Sequence, residues 1–228
     1  MSHTAPQATD IFLEQDAPGP GARVDSLAGS VFILLVMAVV QRGVGFVRAV
    51  LFCRWLDPEQ LGQWDMAFSF LVLAAPLSVL ALPGAFGRYA EHFRQRGEMR
   101  TFLRRTMLVC AALAGVTSVV VFLARRWFSM LIFGTPDDTY TVGLLAVSLV
   151  AVVAFNFSIE LFTALRNIRL VSVMHLINSV LFAALGVVLL FSWQPSASSV
   201  VTAYGGACLL SVFLAGWQLR RTWRAARS

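Results

Sequence analysis

The sequence predicts an all-α fold, a polytopic membrane bundle of six transmembrane helices, and three observations carry that prediction. Hydrophobic residues make up 58% of the 228 residues and charged residues only 13%. A water-soluble chain of this length needs a larger polar fraction to cover its core. The mean hydropathy is +0.74. Finally, apolar runs recur six times between short polar segments, at Leu27–Phe52, Met66–Leu82, Met107–Leu123, Val142–Phe162, Val173–Trp193 and Val200–Trp217. Their lengths are comparable with the roughly 17–25 residues that cross a bilayer as a helix.

Residues 1–26 precede the first run and differ from everything after it. They hold Pro6, Pro18 and Pro20, with four acids against Arg23. That composition predicts a solvated, disordered cytoplasmic tail. It lacks the basic start of a signal peptide, and no small-residue cleavage site follows Leu27–Val40, so the first helix is expected to remain in the mature chain. Residues 27–219 form the expected six-helix lobe, and residues 220–228 a basic cytoplasmic tail.

The first run raises the functional question. After "LAGSVFILLVMAVV" comes "QRGVGFVRAVLFCRWLDPEQLG", which carries Arg42 and Arg48 into or just beyond the span. If the helix enters at Leu27, a rise of about 1.5 Å per residue puts Arg42 about 22 Å in, past the midplane. Arg48 then lies near the outer headgroups, where it can snorkel. Gly43 and Gly45 thin the helix beside Arg42 and allow a neighbouring backbone or a ligand to approach. Two guanidinium forks in a low-dielectric region suit the oxygens of a pyrophosphate. Asp65, at the start of the second helix, is the expected salt-bridge partner when no ligand is bound. Of the two arginines, Arg42 is expected to matter more.

The second run contains Pro76 and breaks at "LPGAFGR", with Pro83 and Gly84. Beyond it, Phe86, Tyr89, Ala90 and Phe93 repeat at helical spacing, with Arg88, Arg94 and Arg96 on the remaining faces. This predicts an amphipathic helix at the membrane interface, an orientation anchor that also offers a basic collar to anionic headgroups. The external segment "ARRWFSMLIFGTPDDTYT" reads as a loop, with "TPDD" as a turn. Asn156, Glu160 and Thr163 share a face of the fourth helix, and His175, Asn178 and Ser179 share a face of the fifth. These sets predict either interhelical hydrogen bonds or a polar patch open to the cytoplasm.

Orientation follows from arginine, since the chain has no lysine. Arg23, Arg88, Arg94, Arg96, Arg100, Arg104, Arg105, Arg166, Arg169, Arg220, Arg221, Arg224 and Arg227 fall on one side, 13 in all. The other side has 3, namely Arg54, Arg125 and Arg126. The positive-inside rule puts both termini in the cytoplasm of an inner (plasma) membrane protein. This placement of the formal +6 charge points to a membrane and not to nucleic acid. Cys53, Cys110 and Cys208 show no paired spacing and read as small hydrophobes. With His3, His92 and His175 scattered, neither a metal nor a cofactor is expected.

Two stretches resemble a known family. "RGVGFVRAVLFCRWLDPEQLGQW" is similar to the R-x-x-G-F-x-R and A-R-x-L-G-P-E-x-x-G motifs of the polysaccharide-transport (O-antigen flippase-like) branch of the multidrug/oligosaccharidyl-lipid/polysaccharide flippase superfamily. "LPGAFGRYAEHFRQRGE" is similar to that branch's helix 2 exit. Motif order and spacing agree from Leu27 to Arg105, and downstream the likeness is one of hydropathy. Ala49 stands where the related lipid II flippases have an acid, and Asp57 replaces the glycine of L-G-P-E.

The resemblance implies one lobe of a two-lobe flippase that moves lipid-linked sugars across the membrane by alternating access. Arg42, Arg48 and Asp65 then fall at cavity-lining positions, with Asn156 and Glu160 as further candidates for substrate contact. The implied substrate is a polyprenyl-pyrophosphate-linked sugar, and membrane lipids are the surroundings. A single lobe cannot enclose a cavity. A homodimer or a separately encoded second lobe is therefore the expected partner, unless the chain is a truncated, non-transporting subunit. A drug or cation antiporter wants carboxylates deep in the lobe, whereas arginine dominates here. A membrane glycosyltransferase would have to use Asp57 and Glu59 in a loop of few residues.

The topology is testable by reporter fusions. Fusions after Arg96 and Ser228 are expected to report cytoplasm, and one near Pro136 the exterior. An external signal at Arg96 would reverse the assignment.

Overall fold

The computed structural model describes residues 20–79, 99–164, 167–193 and 195–225. Among them lie seven helices: α1 (Pro20–Trp55), α2 (Pro58–Ser78), α3 (Met99–Leu123), α4 (Arg125–Phe133), α5 (Thr139–Ala164), α6 (Ile168–Ser192) and α7 (Ala197–Ala225). Five stretches are long and apolar enough to cross a bilayer: Phe32–Trp55, Arg104–Leu123, Thr139–Ala164, Ile168–Ser192 and Ala197–Trp217. The expected run from Met66 begins within α2, and its end at Leu82 lies outside the described residues. The interfacial helix expected around Phe86 to Arg96 and residues 1–19 of the tail also lie outside them. The helix starts at Pro20, inside the stretch assigned to the tail.

The chain divides within α1 into a unit ending at Val36 and a unit of Met37–Ser228. In the first, the described side chains of Phe32, Ile33, Leu35 and Val36 are exposed apolar groups of the first span.

In the second unit α7 runs along both α5 and α6, whereas α5 and α6 touch each other less. The short loop between α5 and α6 does not make them the main pair; α7 lies along both. α5 also carries α3 and α2, and it is the most buried helix, with Leu145, Leu149 and Val152 in the core. Along α2, Trp64, Ala67, Leu71, Ala75 and Ser78 make one buried stripe. Met66, Val72, Leu73 and Leu77 point away from the bundle. This inversion of the water-soluble pattern is what lipid permits: large apolar side chains such as Leu123, Phe191 and Phe213 stay outside.

Lipid tails are as apolar as leucine, so these helices adhere by close packing and polar contacts. Ser118 Oγ donates to the Ala146 carbonyl at 2.6 Å, joining α3 to α5, and Ser148 Oγ donates to the Val201 carbonyl at 3.3 Å, joining α5 to α7. Beside the second contact, a Cβ on Gly205 would sit 2.6 Å from Ser148 Oγ and 3.2 Å from its Cα. Other hydroxyls are satisfied one turn back in their own helix, as in Thr117 to Leu113 and Thr202 to Ser198. No buried side-chain N or O among the described residues lacks a partner.

The external segment read as a loop contains α4. Nine residues are too few to show a helical period clearly, but Gly134, at φ +74°, ends the helix in the left-handed region that favours glycine, with its N–H on the Met130 carbonyl. "TPDD" forms the expected turn. Asp138 accepts from Thr135 Oγ1 at 2.9 Å and from Gln63 Nε2 at 3.5 Å, tying the turn to α2. Gln60 of α2 likewise accepts the Ala197 N–H at 2.8 Å. α2 therefore holds both the turn before α5 and the start of α7.

The α5–α7 contact gives a direct prediction. Gly205→Ala forces the two helix backbones apart and should lower unfolding stability by about 1–3 kcal/mol, the usual range for overpacking. Thermal denaturation in a mild detergent checks this, and Ser148→Gly should relieve part of the loss. An unchanged midpoint for Gly205→Ala would mean that the helices do not approach this closely.

Candidate functional site

Arg48, Phe52 and Trp55 recur at i, i+4 and i+7 and so share one face of α1. That face meets α6. The Arg48 guanidinium carbon stands 4.1 Å from the centre of the Phe182 ring. Phe52 meets the same ring edge-on at 5.8 Å, and Trp55 meets Phe191 at 4.8 Å. Position numbers rise together along both helices, so α1 and α6 run parallel here. The approach depends on Gly186, where a Cβ would lie 2.8 Å from the Phe52 ring.

Around Phe182 the aromatic contacts continue. Trp64 of α2 lies 5.5 Å from it and Tyr204 of α7 5.1 Å, centre to centre. Phe68 closes the set, 5.4 Å from Trp64 and 5.5 Å from Tyr204. Four helices thus converge on one aromatic cluster. Phe52, Trp64 and Phe182 are buried in it, while Arg48 and Tyr204 are half-buried and Phe68 is exposed at its edge. Tyr204 stands one turn before Cys208 on α7.

The burial of Arg48 has a physical explanation. Measured back from Trp55 at about 1.5 Å per residue, it lies about 10 Å inside the end of the span. Instead of extending to the headgroups, it lays its charge over the negative face of a phenyl ring. Such a contact is worth about 0.5–1 kcal/mol when exposed and about 2 or more when desolvated. The planar guanidinium covers the ring with one face and keeps its edge N–H donors for another acceptor.

Arg42 is placed differently. It is exposed, and added Cβ atoms on Gly43 and Gly45 would meet nothing within 4 Å. Sequence reasoning put more weight on Arg42, but the structure gives Arg48 the built surroundings. Asp65 is exposed on α2 beside Trp64. Among the described residues it forms no ion pair with either arginine, so the expected resting salt bridge is not made.

The lower polar sets do not join into one patch. Asn156, Glu160 and Thr163 share an exposed face of α5, and Thr163 Oγ1 donates to the Ile159 carbonyl at 2.8 Å. His175 turns its ring edge-on to Phe155 at 5.7 Å. Asn178 Oδ1 accepts from Ser211 Oγ of α7 at 3.4 Å. The α6 set therefore makes interhelical contacts, His175 to α5 and Asn178 to α7. No group of three or more His, Cys, Asp or Glu among the described residues could hold a metal ion. Cys110 and Cys208 are buried and Cys53 is exposed, all three as free thiols.

Sequence reasoning missed the aromatic half of the cluster. Phe52, Trp64, Phe182 and Tyr204 lie on four different helices, and each reads alone as an ordinary apolar residue. The family model described as "Polysaccharide biosynthesis protein" matches residues 27–228 of the chain. No curated protein and no solved structure matches it.

The Arg48–Phe182 contact can be measured by a double-mutant cycle of Arg48→Met and Phe182→Leu, unfolded in mixed micelles. The expected coupling is about 0.5–2 kcal/mol. Strict additivity would mean that Arg48 is held by something other than the ring.

Proposed function

Because the chain belongs to the polysaccharide biosynthesis protein family, through a match that spans residues 27–228, we propose that it is a flippase lobe. In this reading it moves lipid-linked oligosaccharide or polysaccharide precursors across the membrane for cell-envelope polysaccharide synthesis. The observation that carries the reading is Arg48, a guanidinium held inside a membrane helix by Phe182, with no ion pair to a described acid. A fixed, unneutralised cation in a low-dielectric region favours an anionic ligand. The pyrophosphate of a polyprenyl-linked sugar has the charge and the geometry for its free N–H edge.

Arg42 takes the second phosphate role in this proposal. It stands about 9 Å along α1 from Arg48 at about 1.5 Å per residue. The open space beside Gly43 and Gly45 leaves room for a ligand to approach the helix backbone. Asp65 is proposed as a further polar contact for the substrate, and Asn156 and Glu160 to meet the sugar from the cytoplasmic end. A second lobe, from another copy or from a separately encoded chain, is proposed to cover the exposed side of α1. An exposed charge at mid-helix costs roughly 2.5–3.5 kcal/mol against lipid on insertion scales, which favours such a cover. The orientation proposed is both termini cytoplasmic in the inner (plasma) membrane.

Cation antiport is the second reading. It is weaker because Asp65 and Glu160 are exposed and no acid belongs to the aromatic cluster.

The transport assay follows lipid-linked oligosaccharide reaching the outer leaflet, after expression is matched. Arg48→Ala is expected to lower the rate about tenfold or more, in line with loss of a hydrogen bond to a charged group worth about 1.5–3 kcal/mol. Arg48→Lys should keep the charge and restore only part of the rate, since an ammonium cannot make the bidentate contact. Full activity in both Arg42→Ala and Arg48→Ala would overturn the phosphate role.

A further inference from the structure

On the side of the bundle where α3, α5 and α7 meet, a cavity of about 270 Å³ opens between them. Its rim is formed by Met107, Ala111, Val150 and Gly216, all exposed, so its mouth is on the outer surface of the bundle. The walls are aliphatic and aromatic apart from Met107, the Cys110 thiol and Ser158, whose hydroxyl is already committed to the Ala154 carbonyl at 2.8 Å. A water inside needs two to four polar partners and would find only the weak thiol donor, whereas an apolar cavity of about 150 Å³ already takes a benzene-sized guest. The occupant is therefore apolar and larger than benzene.

Charge at one end of the cavity identifies the rest of that occupant. α3 enters the membrane at this end, and α5 and α7 leave it there. Arg104 lies three residues before Met107 and seven before Ala111, hence on the same line of the helix surface as the rim. Arg104 and Arg105 are both exposed. Neither is ion-paired to a described acid. α7 brings Arg220, Arg221 and Arg224 to the same end, and Glu160 is the only acid in all three helices. Trp217, next to Gly216 and exposed, is the residue type that settles at headgroup depth.

We propose that this groove is a fixed site for one anionic phospholipid, with an acyl chain between α3, α5 and α7 and the phosphate against Arg104 and Arg105. The site is separate from the Arg48 cluster and does not depend on the transport reading. Its role is to wedge α3 against the α5–α7 pair with a lipid in place of a side chain, which makes the stability of the bundle sensitive to the headgroup supplied.

The test is native mass spectrometry of the purified full chain in detergent, titrated separately with phosphatidylglycerol, phosphatidylcholine, a polyprenyl phosphate and inorganic phosphate. One phosphatidylglycerol is expected to remain bound under conditions that strip phosphatidylcholine. Ala111→Phe, and the milder Ala111→Leu, should fill the groove and abolish or weaken that adduct, with helix content checked by circular dichroism. Arg104→Ala combined with Arg105→Ala should cut the preference for phosphatidylglycerol over phosphatidylcholine about thirtyfold, as two basic charges near the surface imply. If the adduct persists at wild-type level in the well-folded Ala111→Leu chain, the groove is not the site. Equal retention of the two phospholipids, or displacement by inorganic phosphate at the same concentration, would remove the anionic headgroup from the proposal. Displacement of phosphatidylglycerol by equimolar polyprenyl phosphate would overturn it in favour of a carrier-lipid site.

Discussion

Where Ser148 meets Gly205, two membrane helices approach until no side-chain carbon separates them, and the order of the bundle follows from that approach. In lipid there is no hydrophobic gain in bringing leucine to leucine, so helices stay together only where they fit closely or share a hydrogen bond. The α5–α7 pair does both, through Gly205 and through the Ser148 bond to the Val201 carbonyl. With α7 pressed against α5, the remaining surface of α7 is open to α6 and α2. This is how α7 comes to lie beside α6 along its length, and why Asn178 finds Ser211 and not a residue of α5.

Within the Met37–Ser228 unit, the part of α1 from Met37 on packs by a different means. The α1 face formed by Arg48, Phe52 and Trp55 leans on Phe182, Gly186 and Phe191 through long side chains and with little backbone approach. Aromatic rings hold helices at a distance and still give edge-to-face attraction of about 0.5–1.5 kcal/mol per pair. An arginine fits this arrangement where a lysine would not, because its flat, weakly hydrated guanidinium can lie on a ring. The same cluster therefore anchors the end of α1 and keeps a cation within the membrane. The proposed movement of a charged headgroup through lipid calls for both: a charge fixed in advance and a helix not locked to its neighbours along its whole length.

The end of the bundle where α5 and α7 begin is organised by α2. Gln60 and Gln63, one turn apart, reach the start of α7 and the turn before α5. Asp138, inside the turn that the sequence predicts, accepts from Thr135 Oγ1 and so holds that turn. Polar side chains at a membrane surface often have this structural use, because they satisfy backbone groups that the spanning helices leave open.

Much of the fold was legible in the sequence, because hydropathy over about 20 residues is a local property and the bilayer imposes that length directly. The all-helical membrane class and most of the spans follow from it, as does the turn at "TPDD". The likeness of residues 41 to 62 and of the segment after Leu82 to a transporter family was equally readable, since a motif is a local pattern. The short helix α4 was not, because nine residues carry too little period. The placement of α7 between α5 and α6 was not, because it depends on which glycine meets which serine across 57 positions of chain. Arg42 and Arg48 are alike as letters in a helix; depth and flanking glycines favoured Arg42. Only the fold brings Phe182 beneath Arg48 and leaves Arg42 open, because a cation–π contact is made by two helices and belongs to the sequence of neither.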